Sequence, residues 1–200
     1  MSKISKVRYN HLPGLNVEYM RIFPESLASV IFFMLERQIE YLENQKICVF
    51  GNYFDIPRKH AAFGDPGLSY TFSNLTLRAK PWTPLLVALR DCVTSVTGQQ
   101  YNFVLINRYA DGKDSIGFHC DDEKELEPSS SVACLSFGAE RPFTFRNKGF
   151  VNLQSFTLRL KNGTLLLMHP PTNRYFLHGL PRRPHIAIPR ISLTFRNIVS

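Results

Sequence analysis

The sequence predicts an α+β fold in which helices pack on an all-β core of the jelly-roll type. Three observations carry this expectation. Two segments in the first half place apolar residues at helical spacing. From Tyr101 onward, apolar and polar residues alternate over short runs separated by turn residues. That many short strands fit most simply into two stacked sheets.

The elements follow in order. Pro24-Glu25-Ser26 opens the first helix, with Leu27, Val30, Ile31, Met34 and Leu35 on one stripe and charged and amide groups opposite. The spacing predicts a second helix over Pro81 to Val96. Its apolar face is Trp82, Leu85, Leu86, Leu89, Val93 and Val96, and Gly98 stops it. Strands are expected at Tyr101 to Tyr109, Ser131 to Phe137, Pro142 to Phe145, Phe156 to Leu160, Thr164 to Met168 and Ile186 to Phe195. Ala110-Asp111-Gly112-Lys113 and Lys161-Asn162-Gly163 read as turns. No repeat, low-complexity tract or linker divides the chain, so residues 1–200 are expected to form one domain.

The formal net charge is +8, with a pI near 9.5, which favours polyanion binding through counterion release. The longest apolar run, Val30 to Met34, is far short of the ~20 residues that span a bilayer. Neither a signal peptide nor a membrane partner is expected. Cys48, Cys92, Cys120 and Cys134 form no C-x-x-C pair, which argues for free thiols in a reducing compartment over a thiolate zinc site.

His119-Cys120-Asp121 is an H-x-D. In an extended segment both outer residues project from one face, so both can reach one metal ion. A distant histidine would complete two histidines and one carboxylate, the set of a non-haem Fe(II) oxygenase with open positions. His169, before Pro170-Pro171, and His178, after the strand-like Tyr175-Phe176-Leu177, are both available.

The last strand ends Pro189-Arg190-Ile191-Ser192-Leu193-Thr194-Phe195-Arg196. Alternation puts Ile191, Leu193 and Phe195 on one face and Arg190, Ser192, Thr194 and Arg196 on the other. Arginines inside a core strand need an anion, and a dicarboxylate such as 2-oxoglutarate supplies one. Asn107 and Tyr109 share a face of their strand and can bond the same carboxylate.

Asn107-Arg108-Tyr109, His119-Cys120-Asp121-Asp122-Glu123, Ser136-Phe137-Gly138, His178 and Arg190 to Arg196 together resemble the AlkB family of nucleic-acid dealkylating dioxygenases. Val49-Phe50-Gly51, Pro57-Arg58-Lys59 and Tyr70-Thr71-Phe72-Ser73 are similar to the branch acting on double-stranded DNA. The resemblance runs from about residue 20 onward. It implies a double-stranded β-helix at about 101–200, with helices and a nucleotide-recognition lid in about 1–100.

The resemblance also implies roles. His119, Asp121 and His178 would bind Fe(II). Asn107, Tyr109 and Arg190 would hold the distal carboxylate of 2-oxoglutarate, with Thr194 and Arg196 nearer the metal. Substrate contacts would come from Phe50, Gly51, Asn52, Arg58, Tyr70, Thr71, Phe72, Ser73, Asp122 and Glu123. The implied reaction consumes O2 and 2-oxoglutarate, with ascorbate as reductant. It hydroxylates an N-methyl group of N1-methyladenine or N3-methylcytosine in DNA, and formaldehyde leaves. A stacked base cannot reach buried iron, so it must flip, and Phe50 would fill the gap. Arg141, Arg146, Lys148, Arg182 and Arg183 are candidate phosphate contacts.

Two departures bear on these expectations. Arg146 to Asn152 is shorter and less basic than the loop with which the double-strand-specific relatives grip the complementary strand. No motif for docking on the replication clamp is evident. A nuclear monomer acting on alkylated, double-stranded DNA remains the expectation. RNA demethylation by the same chemistry and non-catalytic nucleic-acid binding are the alternatives.

Overall fold

A computed structural model of the chain describes residues 5–42, 46–49, 51–72, 75–149 and 155–199. The elements run β1 (Lys6–Tyr9), β2 (Val17–Arg21), α1 (Glu25–Gln38), β3 (Lys46–Val49), β4 (Asn52–Asp55), β5 (Lys59–Gly64), β6 (Ser69–Phe72), β7 (Leu75–Arg78) and β8 (Lys80–Pro81). There follow α2 (Pro84–Thr97), β9 (Phe103–Tyr109), β10 (Ile116–His119), β11 (Val132–Gly138), β12 (Arg141–Asn147), β13 (Phe156–Leu160) and β14 (Thr164–Met168). The last elements are α3 (Thr172–Tyr175), β15 (Phe176–Leu180) and β16 (Arg190–Arg196).

Two sheets face each other. The larger has the order β1-β2-β14-β11-β16-β9-β5-β8, and the smaller β10-β15-β12-β13. Two hairpins, β3-β4 and β6-β7, stand apart from both. Strand alternation decides what each face of the larger sheet meets. Ile191, Leu193 and Phe195 of β16 join a core with Ala28, Ile31 and Leu35 of α1 and Leu86, Leu89 and Val93 of α2. A second core, with Cys134, Phe143, Phe145, Leu166, Met168 and Phe176, fills the space between the sheets. The polar face of β16 opens into this inter-sheet space, which makes room for a site.

Several expectations shift in detail. Leu27 and Val30, assigned to the buried stripe of α1, are 46% and 56% exposed. The buried stripe is Ala28, Ile31 and Leu35, and Met34 lies only partly buried. A small residue is needed at 28 because α1 passes close to the turn at Gly163, where an added Cβ would lie 2.8 Å from Ala28 Cβ. α2 begins at Pro84, not Pro81. Thr83 caps it by accepting from Leu86 N, and Trp82 instead donates to Asp65 Oδ1 at 2.8 Å. Gly98 ends α2 at φ 71, as expected. The last strand starts at Arg190 rather than Ile186. Pro184 and Pro189 lack the N–H that a ladder needs, and Ile188 between them is 62% exposed.

The short N-terminal strands carry too little alternation to be read from the sequence. β1, β2, β5 and β8 all enter the larger sheet, so residues before 100 supply half of its strands. Cys92, Cys120 and Cys134 are free, and no helix among the described residues is long and apolar enough to cross a membrane.

Candidate metal and dicarboxylate site

His119 closes β10, and its register partner on β15 is His178. Asp121 follows two residues later, just beyond the strand. One donor atom from each of the three lies within 4.8 Å of the others. Asp121 Oδ1 is 3.8 Å from His119 Nε2 and 3.9 Å from His178 Nε2. His119 Nδ1 lies 2.9 Å from Gly117 O, so this nitrogen carries the proton and Nε2 keeps a lone pair toward the centre. Phe143 stacks on His178 with centroids 5.3 Å apart. His169, the other available histidine, is held elsewhere by Ser131 Oγ at 2.8 Å and Glu18 at 3.5 Å.

The protonation states suit a cation. Burial alone would raise the Asp121 pKa, but the Arg196 guanidinium, His178 and His119 outweigh it and hold the carboxyl at about 2. Arg196 Nη2 donates to Asp121 Oδ1 at 3.0 Å. Burial pushes His178 down to about 3. Both groups therefore present unprotonated donors at neutral pH, as metal binding requires.

Arg190 lies at the other end of β16, only 2% exposed. Its Nη2 donates to Ser136 Oγ at 2.9 Å, and its guanidinium sits 5.4 Å from the Tyr109 ring centroid. No carboxylate among the described residues pairs with it, and its buried Nε has no partner. Asn107 and Tyr109 lie beside it on β9, where Tyr109 is the register partner of Arg190. A buried guanidinium without an anion is what a carboxylate ligand would satisfy.

A cavity of about 750 Å³ joins the two ends. Its lining includes His119, Asp121, His178, Asn107, Tyr109, Arg190, Thr194 and Arg196. Tyr70, Thr71 and Phe72 of the β6-β7 hairpin line it too, with Arg58, Asp122 and Glu123. The Tyr70 and Phe72 rings are 6.0 Å apart, and Arg196 lies 4.8 Å from the Tyr70 centroid. Burial and then the Asp121 charge push the Glu123 carboxyl up. Asp122 accepts from Cys120 Sγ at 2.9 Å.

Not every expected residue reaches the cavity. Gly51 and Asn52 belong to the β3-β4 hairpin and do not line it. Phe50 and Ser73 lie outside the described residues, as does part of the loop from Arg146 to Asn152. Arg141 is not a phosphate contact. It is 1% exposed and donates to Asp111 O, Asp114 O and Pro181 O. Arg146 stacks on Phe118 at 3.6 Å, and Lys148 donates to Asn173 O at 2.8 Å. The apolar walls, Leu105, Cys134, Phe143, Met168 and Leu180, are site residues that sequence reasoning missed. Their signal is strand alternation, since each is on the inward face of a strand with a polar cavity residue nearby.

The sequence matches the 2OG-Fe(II) oxygenase superfamily over residues 38–196, a span that contains all three candidate metal donors and both arginines of β16. It is 47% identical to the DNA oxidative demethylase ALKBH2 of Mus musculus, over 96% of this chain and 84% of that protein. The chain belongs to the AlkB family of 2OG-Fe(II) oxygenases. It is also 46% identical to ALKBH2 of Homo sapiens, over 96% of this chain and 77% of that protein. Identity to the alpha-ketoglutarate-dependent dioxygenase alkB homolog 3 of Bos taurus is 37%, over 71% of this chain and 52% of that protein. The structure of OsALKBH1 superposes with a TM-score of 0.67 over 96% of this chain and 100% of that one, at 15% identity, which speaks to the fold alone. As a member of this family the chain is a dioxygenase that uses Fe(II) and 2-oxoglutarate, and O2 is implied by that reaction.

Proposed function

We propose that the chain removes N-methyl groups oxidatively from N1-methyladenine and N3-methylcytosine in DNA. The working substrate is duplex DNA, and the enzyme acts as a monomer in the nucleus. One observation carries the reading: a single cavity joins the His119-Asp121-His178 cluster to an aromatic hairpin. The names of the relatives, DNA oxidative demethylases, support the same substrate class.

In this reading His119, Asp121 and His178 hold the iron. Asn107, Tyr109 and Arg190 take the distal carboxylate of 2-oxoglutarate, and Thr194 and Arg196 lie at its metal end. The bound ion, with 2-oxoglutarate and O2, supplies the chemistry that hydroxylates the N-methyl group. The chain's own work is to position and exclude. Tyr70, Thr71 and Phe72 form the roof against which the extruded base stacks, a contact worth roughly 1–3 kcal/mol per base. Both lesions carry positive charge on the ring, which Asp122 and Glu123 complement. Extrusion costs a few kcal/mol, less where the methyl group has already broken pairing. Phe50, flanked by Gly51 and Asn52, fills the vacated stack.

The test is turnover of N1-methyladenine in single-stranded, duplex and RNA oligonucleotides with Fe(II) and 2-oxoglutarate, against His119→Ala. Demethylation of DNA that the variant loses is expected. Succinate formation without DNA demethylation would overturn the substrate assignment while leaving the iron chemistry standing.

A further inference from the structure

Arg58 lies in the turn before β5, partly buried, and lines the cavity. Its Nε donates to Asn107 Oδ1 at 2.8 Å. A guanidinium has donors only, so the atom facing it must be the amide oxygen. The Asn107 amide is thereby turned with its Nδ2 donors away from Arg58. A carboxylate accepts and never donates, so only this amide orientation lets Asn107 bind one.

Strand register explains why Arg58 meets this site. β16, β9 and β5 are neighbours in the larger sheet. Arg190 pairs with Tyr109, and Asn107 pairs with both Ser192 and His60. The first pair of β5 is Lys59 with Arg108, so Arg58 comes toward Tyr109 from the side opposite Arg190. Charge points the same way. No ion pair to a carboxylate is found for Arg58 or Arg190 among the described residues. Burial lowers the Arg58 pKa, with Tyr109 and the more distant Asp114 carboxylate acting the other way. Arg141, the third guanidinium nearby, is occupied by three backbone carbonyls. The end of the cavity remote from the metal cluster thus keeps two guanidiniums without an anion in contact.

We infer that Arg58 is a positioning residue of the 2-oxoglutarate site, not a nucleic-acid contact. It fixes the Asn107 amide with its N–H groups toward the distal carboxylate and adds a second positive charge there. This role differs from the substrate contact that the resemblance implies for Arg58. The inference rests on the reading that Asn107, Tyr109 and Arg190 hold that carboxylate.

Calorimetry on the full chain loaded with Mn(II), which binds without turning over, tests it. The ligands are 2-oxoglutarate and 2-oxopentanoate, which has the same keto-acid head and chain length but no distal carboxylate. Arg58→Met is expected to weaken 2-oxoglutarate binding by roughly tenfold to a hundredfold, the scale of a hydrogen bond to a charged group. It should leave 2-oxopentanoate binding within about twofold, a discrimination that a general loss of structure would not produce. Arg58→Lys keeps the charge, is expected to recover part of the affinity, and carries the test should Arg58→Met melt early. DNA affinity and its salt dependence should be unchanged in both. Unchanged 2-oxoglutarate binding with weakened DNA binding would overturn the inference. Arg190→Met separates the two readings: if it weakens 2-oxoglutarate binding and Arg58→Met does not, only the role of Arg58 fails. If neither does, the assignment of this end of the cavity fails as well.

Discussion

Arg141→Met should unfold the protein more easily and leave DNA binding alone. Arg141 heads the fully buried side chains by volume, and it donates at 3.0, 2.8 and 3.0 Å to the carbonyls of Asp111, Asp114 and Pro181. It therefore ties the β9-β10 turn to the segment after β15. Methionine keeps the apolar stem and removes all three bonds. Each bond to a charged donor is worth ~1.5–3 kcal/mol, but the sum overstates the loss. The guanidinium's own desolvation cost disappears with it, and the half-buried turns let some water reach the freed carbonyls. A net destabilisation of about 3–5 kcal/mol follows. At ~2–4 °C per kcal/mol for a chain of this size, Tm should drop by about 6–20 °C. Thermal melting by circular dichroism reads this directly, with DNA affinity measured across a salt series below the transition. An unchanged Tm, with the slope of log K against log salt reduced by about 0.9, would refute the structural role and restore the phosphate contact.

Three further outcomes are expected. Asp121→Ala removes the carboxylate that accepts from the buried Arg196, so it should cost about 3–5 kcal/mol of stability as well as Mn(II) binding, whereas Asp121→Asn should lose the metal and keep most of the Tm. His60 is 1% exposed, neither ring nitrogen has a hydrogen-bond partner among the described residues, and burial pushes its pKa down to about 4. The unfolded chain takes up that proton near pH ~6.5 and the folded one only near 4, so stability is full above ~6.5 and lost as pH falls toward 4. His60→Gln should remove about 2 kcal/mol of acid sensitivity between about pH 7.5 and 5 in denaturant titrations. Phe50→Ala should slow repair of a duplex oligonucleotide more than that of a single strand, and equal slowing would count against a wedge.

The faces of β16 were legible because two chemistries alternate along it, Arg-Ser-Thr-Arg against Ile-Leu-Phe, and both faces are buried. The choice between His169 and His178 was not legible from spacing alone. It depends on the pairing of His119 with His178 across β10 and β15, strands far apart in sequence, and no local periodicity encodes such a register. Arg141 opens its strand next to Glu140, which reads like a surface pair, yet the turn at Asp111 to Asp114 folds over it. Leu27 and Val30 follow helical spacing but miss the sheet, since the contact stripe is set by where α1 can approach Gly163. β1 is an edge strand with an exposed pattern, so it carried no alternating signal to read.

The two arginines of β16 differ in a way that gives the cavity a direction. Both are buried, and both point into the same space. Arg196 has its charge balanced inside the protein by Asp121 at 3.0 Å, although its Nε and Nη1 remain without partners. Among the described residues Arg190 meets the neutral Ser136 hydroxyl and the Tyr109 ring but no carboxylate. A dianion entering this space finds uncompensated positive charge at the Arg190 end alone, until a metal ion is held at the other. In the proposed reading the carboxylate with no keto neighbour is the one held at Arg190, and the keto-acid head faces His119, Asp121 and His178. Charge at Arg190 would attract either carboxylate of the ligand, so the choice between them falls to the metal end, where only the keto-acid head can chelate an ion. Asp121 keeps that end free for an ion by neutralising Arg196 rather than Arg190.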